Sequence, residues 1–482
     1  MPSTASTATR QRAARDILVQ IVARVFNLAL GVIVTGLVAR TLGTTLYGEW
    51  STIFVILGLV GYFSSFGMEK VVIREVAANP ELEHEWFGAM MFVRFSLLIP
   101  VMIASVLAIV LLQRSHQMLV AGLILTATMP FDGVGVLQLV FQLRVDNRVP
   151  MLVLTLRSVL WAAAVALIYF GGGGMVELAI AMAATNALAA IVQAVAATRA
   201  MDRWPRPSRK HLRGLVMVGV PLGVAGVLIM AYARIDQLIV FQSAGSHAAG
   251  LYGAVYGILD QAHFVPISIL TTLTPIIAAS WPRDPGRMFR TVRLAAEMMA
   301  IGSLGALAFA IAAAEPVVRL IFGAEFAEAA PALPILGGAF VFICFGYLNG
   351  SLMTVLGLQG RLLRISIAAL VVNLAGNLIL VPTYGFLAAA WMTLATELLV
   401  FGLSLWVILA NLKPKSLDVS RGLRTLLAAG LLCGALTALD SAGAGLAILV
   451  PAACVLYPAL LIGLRAFDPR ELLVVVRRRV SS

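Results

Sequence analysis

Charge is scarce in this chain. Asp, Glu, Lys and Arg make up only 12% of its 482 residues, while 61% are hydrophobic. A soluble protein of this length carries about twice that charge. The composition therefore excludes a string of soluble domains and implies one helical membrane bundle. Cysteine is scarce too. Cys344, Cys433 and Cys454 all lie inside apolar stretches, which excludes zinc-finger spacing and a disulfide framework in loops. The five histidines fall in no metalloprotease pattern, and the glycines at 171–174 are followed by no Lys-Ser/Thr pair. Zinc chemistry and a nucleotide-binding loop are thereby excluded, and no cofactor is expected.

What remains is a succession of apolar runs with charge confined to the gaps. Fourteen segments have membrane-spanning length: 17–39, 49–68, 87–112, 118–141, 150–170, 176–197, 214–239, 248–275, 292–314, 331–358, 362–383, 385–410, 422–439 and 445–464. Lipid offers the backbone no hydrogen-bond partner, so each is expected to be a helix. Of the 35 Lys and Arg, 28 fall at the termini or in every second gap. This alternation is the positive-inside rule. It places both termini and the basic gaps on the cytoplasmic side of the membrane. The net charge of +12 then faces anionic lipid headgroups rather than nucleic acid. Residues 1–15 are rich in Ser, Thr and Ala and carry Arg10, Arg12 and Arg15, like the start of a signal sequence. The apolar run that follows is too long and lacks a cleavage site, so it reads as an uncleaved first span.

The gaps are short. The longest are 69–86, which is acidic, and the basic 198–213, which contains Pro205 and Pro207. The basic gap follows six spans and reads as a linker between two halves. A faint repeat supports this reading: Gly43 with Tyr47-Gly48 matches Gly245 with Tyr252-Gly253, and Ala184-Thr185-Asn186 matches Ala395-Thr396-Glu397. Six is an even number, so both copies enter from the same side and the repeat axis lies along the membrane normal. The expected fold is all-α and polytopic. It has a six-helix bundle at 1–197, a linker at 198–213, a second bundle at 214–410, an added helix pair at 422–464 and a basic tail at 465–482.

The first hairpin carries a family resemblance. Ala39-Arg40-Thr41-Leu42-Gly43, Tyr47-Gly48, Phe66-Gly67 and Arg74-Glu75-Val76-Ala77 resemble the opening of bacterial oligosaccharide flippases of the Wzx type. Phe322-Gly323-Ala324-Glu325-Phe326 with Pro331 and Leu333-Pro334-Ile335-Leu336, and Tyr384-Gly385-Phe386-Leu387-Ala388-Ala389-Ala390, resemble later parts of the same family. The superfamily also holds lipid II flippases and multidrug and toxin extruders. The resemblance implies two six-helix bundles in a V, alternately open to either face. It also implies a sugar chain on polyprenyl diphosphate as the cargo.

An ionisable residue inside a span is costly and usually faces a cavity or a partner. Arg24, Arg94 and Arg157 each lie about seven residues into an outward-running span, about 10 Å from its inner end. Three guanidiniums at one depth suit a diphosphate, which their planar forks grip bidentately. Snorkelling to the headgroups is the competing reading. Arg234, near the outer end of span 7, is a further candidate; Asp236, two residues on, does not face it, so each is expected to pair with another span, and a structural ion pair at the outer interface is the alternative. Arg40 and Arg74 stand as headgroup contacts or, for Arg40, as the cap of a helix C-terminus. Asp132, Asp260 with His263 one turn on, and Glu397 lie near mid-membrane and are candidates for proton or sodium coupling; helix-fixing hydrogen bonds are the alternative.

Together with the resemblance, these residues point to a secondary transporter, not an enzyme, that flips a polyprenyl-diphosphate-linked oligosaccharide. A drug/cation antiporter would need an acid-lined cleft. A polysaccharide polymerase or glycosyltransferase would need a large catalytic loop. A scaffold would leave its intramembrane charges mutually paired.

Overall fold

A computed structural model describes the backbone at 4–65, 68–144, 148–201, 205–206, 208–412 and 420–467. Side chains are described over the same residues except 4–25, 65, 70, 209, 210, 218, 220–222 and 225. Every regular element among the described residues is helical. Among the described residues, twelve helical stretches are long and apolar enough to cross a membrane. Leu111, Leu167, Phe170, Ile379 and Trp406 are each more than two-thirds exposed, a surface suited to acyl chains rather than water. The chain is a multi-pass membrane protein. The side on which the basic gaps cluster is called inner below.

The chain divides into two compact units, one of residues 16–253 and one of 254–482 with 1–15. The first contains α1 (Thr4–Ser65), α2 (Met68–Ala78), α3 (Glu83–Leu112), α4 (His116–Thr126), α5 (Met129–Val134), α6 (Gln138–Leu143), α7 (Arg148–Gly171), α8 (Met175–Ala200) and most of α9 (Arg209–Ala262). Both α1 and α9 are two helical segments joined at a glycine. Gly43 has φ 67° and ψ 177°, and Gly245 has φ 90° and ψ 174°, a conformation open to glycine but not to ordinary side chains. The expected count of fourteen spans differs from twelve at these two joints.

The joints pack against each other with local two-fold symmetry. A Cβ on Gly48 would collide with the carbonyl oxygen of Ser246, and one on Gly250 would collide with the carbonyl oxygen of Thr44. Gly43 and Gly245, Thr44 and Ser246, and Gly48 and Gly250 are all 202 positions apart. The structural register of the repeat is therefore three residues shorter than the Tyr-Gly dipeptides suggest. Buried aromatics follow the same register, with Trp50 matching Tyr252.

Two expected features change form. The run 118–141 is broken into α4, α5 and α6. Pro130 at the start of α5 cannot donate to the preceding turn, and the hydroxyls of Thr126 and Thr128 bond back to carbonyls of Gly122 and Leu125 at 2.7 Å each. The acidic gap 69–86 is mostly helix, as α2 and the start of α3. The basic gap is shorter than expected, because α8 runs to Ala200 and α9 begins at Arg209, and its described residues Pro205 and Arg206 meet α3. Arg206 donates its backbone N–H to the carbonyl of His84 at 3.1 Å. His211 Nε2 lies 3.0 Å from Glu85 Oε2, and its ring sits 4.4 Å from that of Trp86.

The second unit contains α10 (Phe264–Ser280), α11 (Pro285–Ala312), the short α12 (Ala314–Phe322), α13 (Ala332–Val355), α14 (Gln359–Tyr384), α15 (Phe386–Leu412), α16 (Ser420–Ser441) and α17 (Leu446–Gly463). Asp284 caps α11 by accepting from Arg287 N at 2.9 Å, and Gly385 with φ 66° ends α14. The C-terminal pair α16 and α17 packs on α11 through Leu432, Leu436, Leu449, Ala308 and Ala312. Tyr457 anchors it by donating to Ile301 O at 2.8 Å.

The glycine contact yields a prediction. Gly48→Ala is expected to cost ~1–3 kcal/mol or more, as overpacking does, and to lower the Tm of the purified protein by several degrees. Gly430→Ala, within α16 and with open space around it, is the control and should not lower the Tm. Thermal unfolding in detergent measures both.

Candidate functional site

The break in the fourth span creates the inner site. Starting a new helix at Met129 puts Asp132 in the first turn of α5, where it meets α3 and α7. Arg94 of α3 donates Nη2–H to the backbone oxygen of Asp132 at 3.4 Å and Nη1–H to Glu69 Oε1 of α2 at 3.3 Å. Arg157 of α7 donates to Asn186 Oδ1 of α8 at 3.4 Å. Both guanidiniums lie close enough to the Asp132 carboxylate to act on it electrostatically. Asp132 is exposed at the start of α5.

Spare capacity for an anion is visible. The Nε–H of Arg94 is buried and meets no acceptor among the described residues. Arg157 is exposed, and its bond to Asn186 is to a neutral group. Glu69, 41% exposed, holds Arg94 through one long contact. A permanently charged guanidinium that is only loosely paired can exchange its partner for a phosphate oxygen at little cost.

Three sequence candidates, Arg94, Arg157 and Asp132, thus converge. The side chain of Arg24 lies outside the described residues. One turn on from it, Asn27 donates to Thr155 Oγ1 at 3.2 Å, which ties that part of α1 to α7 two residues before Arg157. Arg74 stands apart on α2, two-thirds exposed and paired with Glu75 at 2.6 Å. Arg40 is exposed on the last turn before Gly43, sixteen residues and about 24 Å beyond Arg24. A cation there meets the carbonyl end of the helix favourably.

On the outer side the two glycine joints carry a polar clasp. The Glu49 carboxylate accepts hydrogen bonds from Ser115 and Ser246. Thr44 Oγ1 and His247 Nδ1 are 2.8 Å apart, Gln237 donates to Ser51 Oγ at 2.8 Å, and Arg114 donates to Gln242 Oε1 at 3.3 Å. Asp236 is buried and accepts from Tyr252 OH at 2.5 Å. Arg234, half-buried two residues earlier, lies nearer this clasp in sequence than the inner arginines.

The second unit gathers the remaining candidates. Asp260 Oδ1 and His263 Nδ1 are 3.9 Å apart. The His263 ring lies 6.0 Å from Tyr347 of α13. Asp260 and Glu397 both act electrostatically on Tyr347. Glu397 of α15 is buried, with Oε2 near the backbone of Gly346. Beside it Asn373, itself bonded to Asn377, donates to Thr396. Sequence reasoning missed Tyr347. The signal was a tyrosine in mid-span, whose hydroxyl needs a polar partner in lipid.

Asp132→Asn tests the carboxylate's place in the inner site. Removing a partly exposed competitor worth ~0.5–1 kcal/mol is expected to tighten binding of inorganic pyrophosphate about 2–5-fold. Calorimetry on the detergent-solubilised protein reads this, and unchanged or weaker binding contradicts it.

Residues 37–331 match the sequence profile of a family described as polysaccharide biosynthesis protein. No curated protein sequence matches the chain. Among solved structures, the lipid II flippase MurJ in an inward-closed conformation superimposes with a TM-score of 0.74 at 12% identity, covering 93% of this chain and 99% of that one. An inward-facing multidrug-resistance MATE transporter of the MOP superfamily gives 0.65 at 18% identity, with 82% and 96% covered. A point mutant of the Vibrio cholerae MATE transporter VcmN gives 0.57 at 15% identity, with 85% and 99% covered. At these identities the likeness establishes a shared fold.

Proposed function

Because the chain belongs to the polysaccharide biosynthesis protein family, we propose that it is a flippase of the bacterial inner membrane. It carries a polyprenyl-diphosphate-linked oligosaccharide from the cytoplasmic to the outer leaflet, as a secondary transporter serving cell-surface polysaccharide synthesis. The observation that carries this reading is the convergence of Arg94 and Arg157 around Asp132, within helices long enough to span the bilayer. Apolar cargo needs no such site. A diphosphate does, because an unpaired anion in hydrocarbon is prohibitive and guanidiniums offer paired, permanent charge. Arg24, at the same depth on α1, adds the third cation.

In this reading the halves 1–197 and 214–410, joined by 198–213, rock about the cargo while the termini remain cytoplasmic. The outer clasp around Gly48 and Gly250 is the gate that must part for release. Its bonds are single contacts between neutral or singly charged groups, each worth about 1 kcal/mol, so ligand binding can offset them. Asp260, His263 and Glu397, with Tyr347, form the ion-coupling element, for H+ or Na+.

A drug/cation antiporter of the same fold accounts less well for two guanidiniums with unused donors. Transport separates the two. Arg94→Ala, Arg157→Ala and Arg24→Ala are expected to lower translocation of a lipid-linked oligosaccharide in proteoliposomes by at least about 100-fold, the loss of two or more charge-assisted hydrogen bonds. Folded protein should remain in the membrane, and Arg157→Lys should keep part of the rate. Wild-type rates in all three alanine variants overturn the diphosphate site. Glu397→Gln is expected to leave substrate binding intact and to abolish acceleration by an imposed ion gradient; a retained response removes Glu397 from coupling.

A further inference from the structure

The inner cation site has an apolar annex. Gly88, Met91, Phe92, Phe95, Ser96 and Ile99 form one face of α3 and, with Pro205 of the docked connection, line a cleft of about 420 Å³. This stretch of helix covers about 16 Å of the bilayer normal, starting from the inner side. Gly88 and Ser96 keep the floor low, and Phe92 and Ile99 stand half or more exposed as its walls. Outward, the stripe continues through Ile103, Leu107 and Leu111, all exposed. The cleft is therefore the concave start of an apolar track running along the membrane normal.

Two observations tie this track to the arginines. A Cβ on Gly133, next to Asp132, would lie 3.5 Å from Phe95 Cζ and 4.0 Å from Arg94 Nε. Phe95 is thus shared between the cleft and the cation site, and the buried, unpaired Nε–H of Arg94 lies at the junction. The roof is held in place as well. Pro205 is buried, and its neighbour Arg206 is fixed through its backbone to His84 and abuts Gly88.

We propose that this cleft binds the first isoprene units of the polyprenyl diphosphate carrier, with the diphosphate on Arg94 and Arg157. The inference rests on the flippase reading and adds the subsite for the tail. Charge decides between possible occupants. An ordinary phospholipid brings a single phosphodiester charge, whereas a diphosphate matches two neighbouring guanidiniums. With its head at Arg94, the chain's first carbons lie beside Phe95 and continue past Phe92 and Ser96 along the stripe. Aromatic and branched aliphatic walls give a methyl-branched chain more contact than open lipid does.

The test separates tail from head. Ser96→Trp fills the cleft from an exposed position and should weaken binding of a long-chain polyprenyl diphosphate about tenfold. Its affinity for inorganic pyrophosphate should match wild type. Loss of both, or of neither, overturns the proposal. In parallel, a photoreactive phenylalanine analogue at Phe92 in the full-length protein, reconstituted with radiolabelled polyprenyl diphosphate, should capture several-fold more label than one at Ile191. Ile191 is 57% exposed on the inner half of α8 and reports bulk lipid. Excess phospholipid should not compete. Equal capture at the two positions, or competition by phospholipid, means bulk lipid only and overturns the subsite. Failure of the flippase reading looks different: wild-type protein then neither binds nor translocates the polyprenyl substrate, so no tail effect arises in either assay.

Discussion

A charge held within an apolar slab must find either a partner or water, and the backbone around it must satisfy its own hydrogen bonds. Those two demands account for much of this structure. They make every span helical. They push most basic residues into the gaps on one side. They also leave Arg94, Arg157, Asp132, Asp260 and Glu397 as the costly exceptions. In the first unit the exceptions converge at an inner site with loose, exchangeable partners. In the second, Asp260, His263 and Glu397 surround a tyrosine that sequence reasoning overlooked.

The outer side solves a different problem. Two segments can meet backbone to backbone only where nothing projects between them. Gly48 and Gly250 provide that, each abutting a carbonyl on the other joint. Around this contact lie polar bonds among Glu49, Ser115, Ser246, Thr44 and His247. The inner site and the outer clasp share the unit 16–253.

Much of this was legible in the residues alone. The span positions, the basic gaps and the common depth of Arg94 and Arg157 follow from counting. The repeat was visible, but its register was three residues off around the second joint. Tyr-Gly dipeptides are matched by letter, whereas the structure matches glycines by the φ and ψ they adopt. The break at Pro130 interrupts a run that the sequence reads as one continuous span. Its consequence, the placing of Asp132 before two arginines, was not legible, because a bend's direction depends on which neighbours receive it.

The sequence by itself determined the membrane class, the all-helical architecture, the sidedness of charge and the family. Each of these depends on local composition and period, which one chain segment carries on its own. Only the tertiary structure decided that Arg94 reaches Asp132 and Glu69, that Arg157 faces Asn186, and that Gly48 meets Gly250 across 202 residues. Such pairings depend on which helix faces turn toward each other. In a chain whose helices are apolar nearly all round, no single helix encodes that choice.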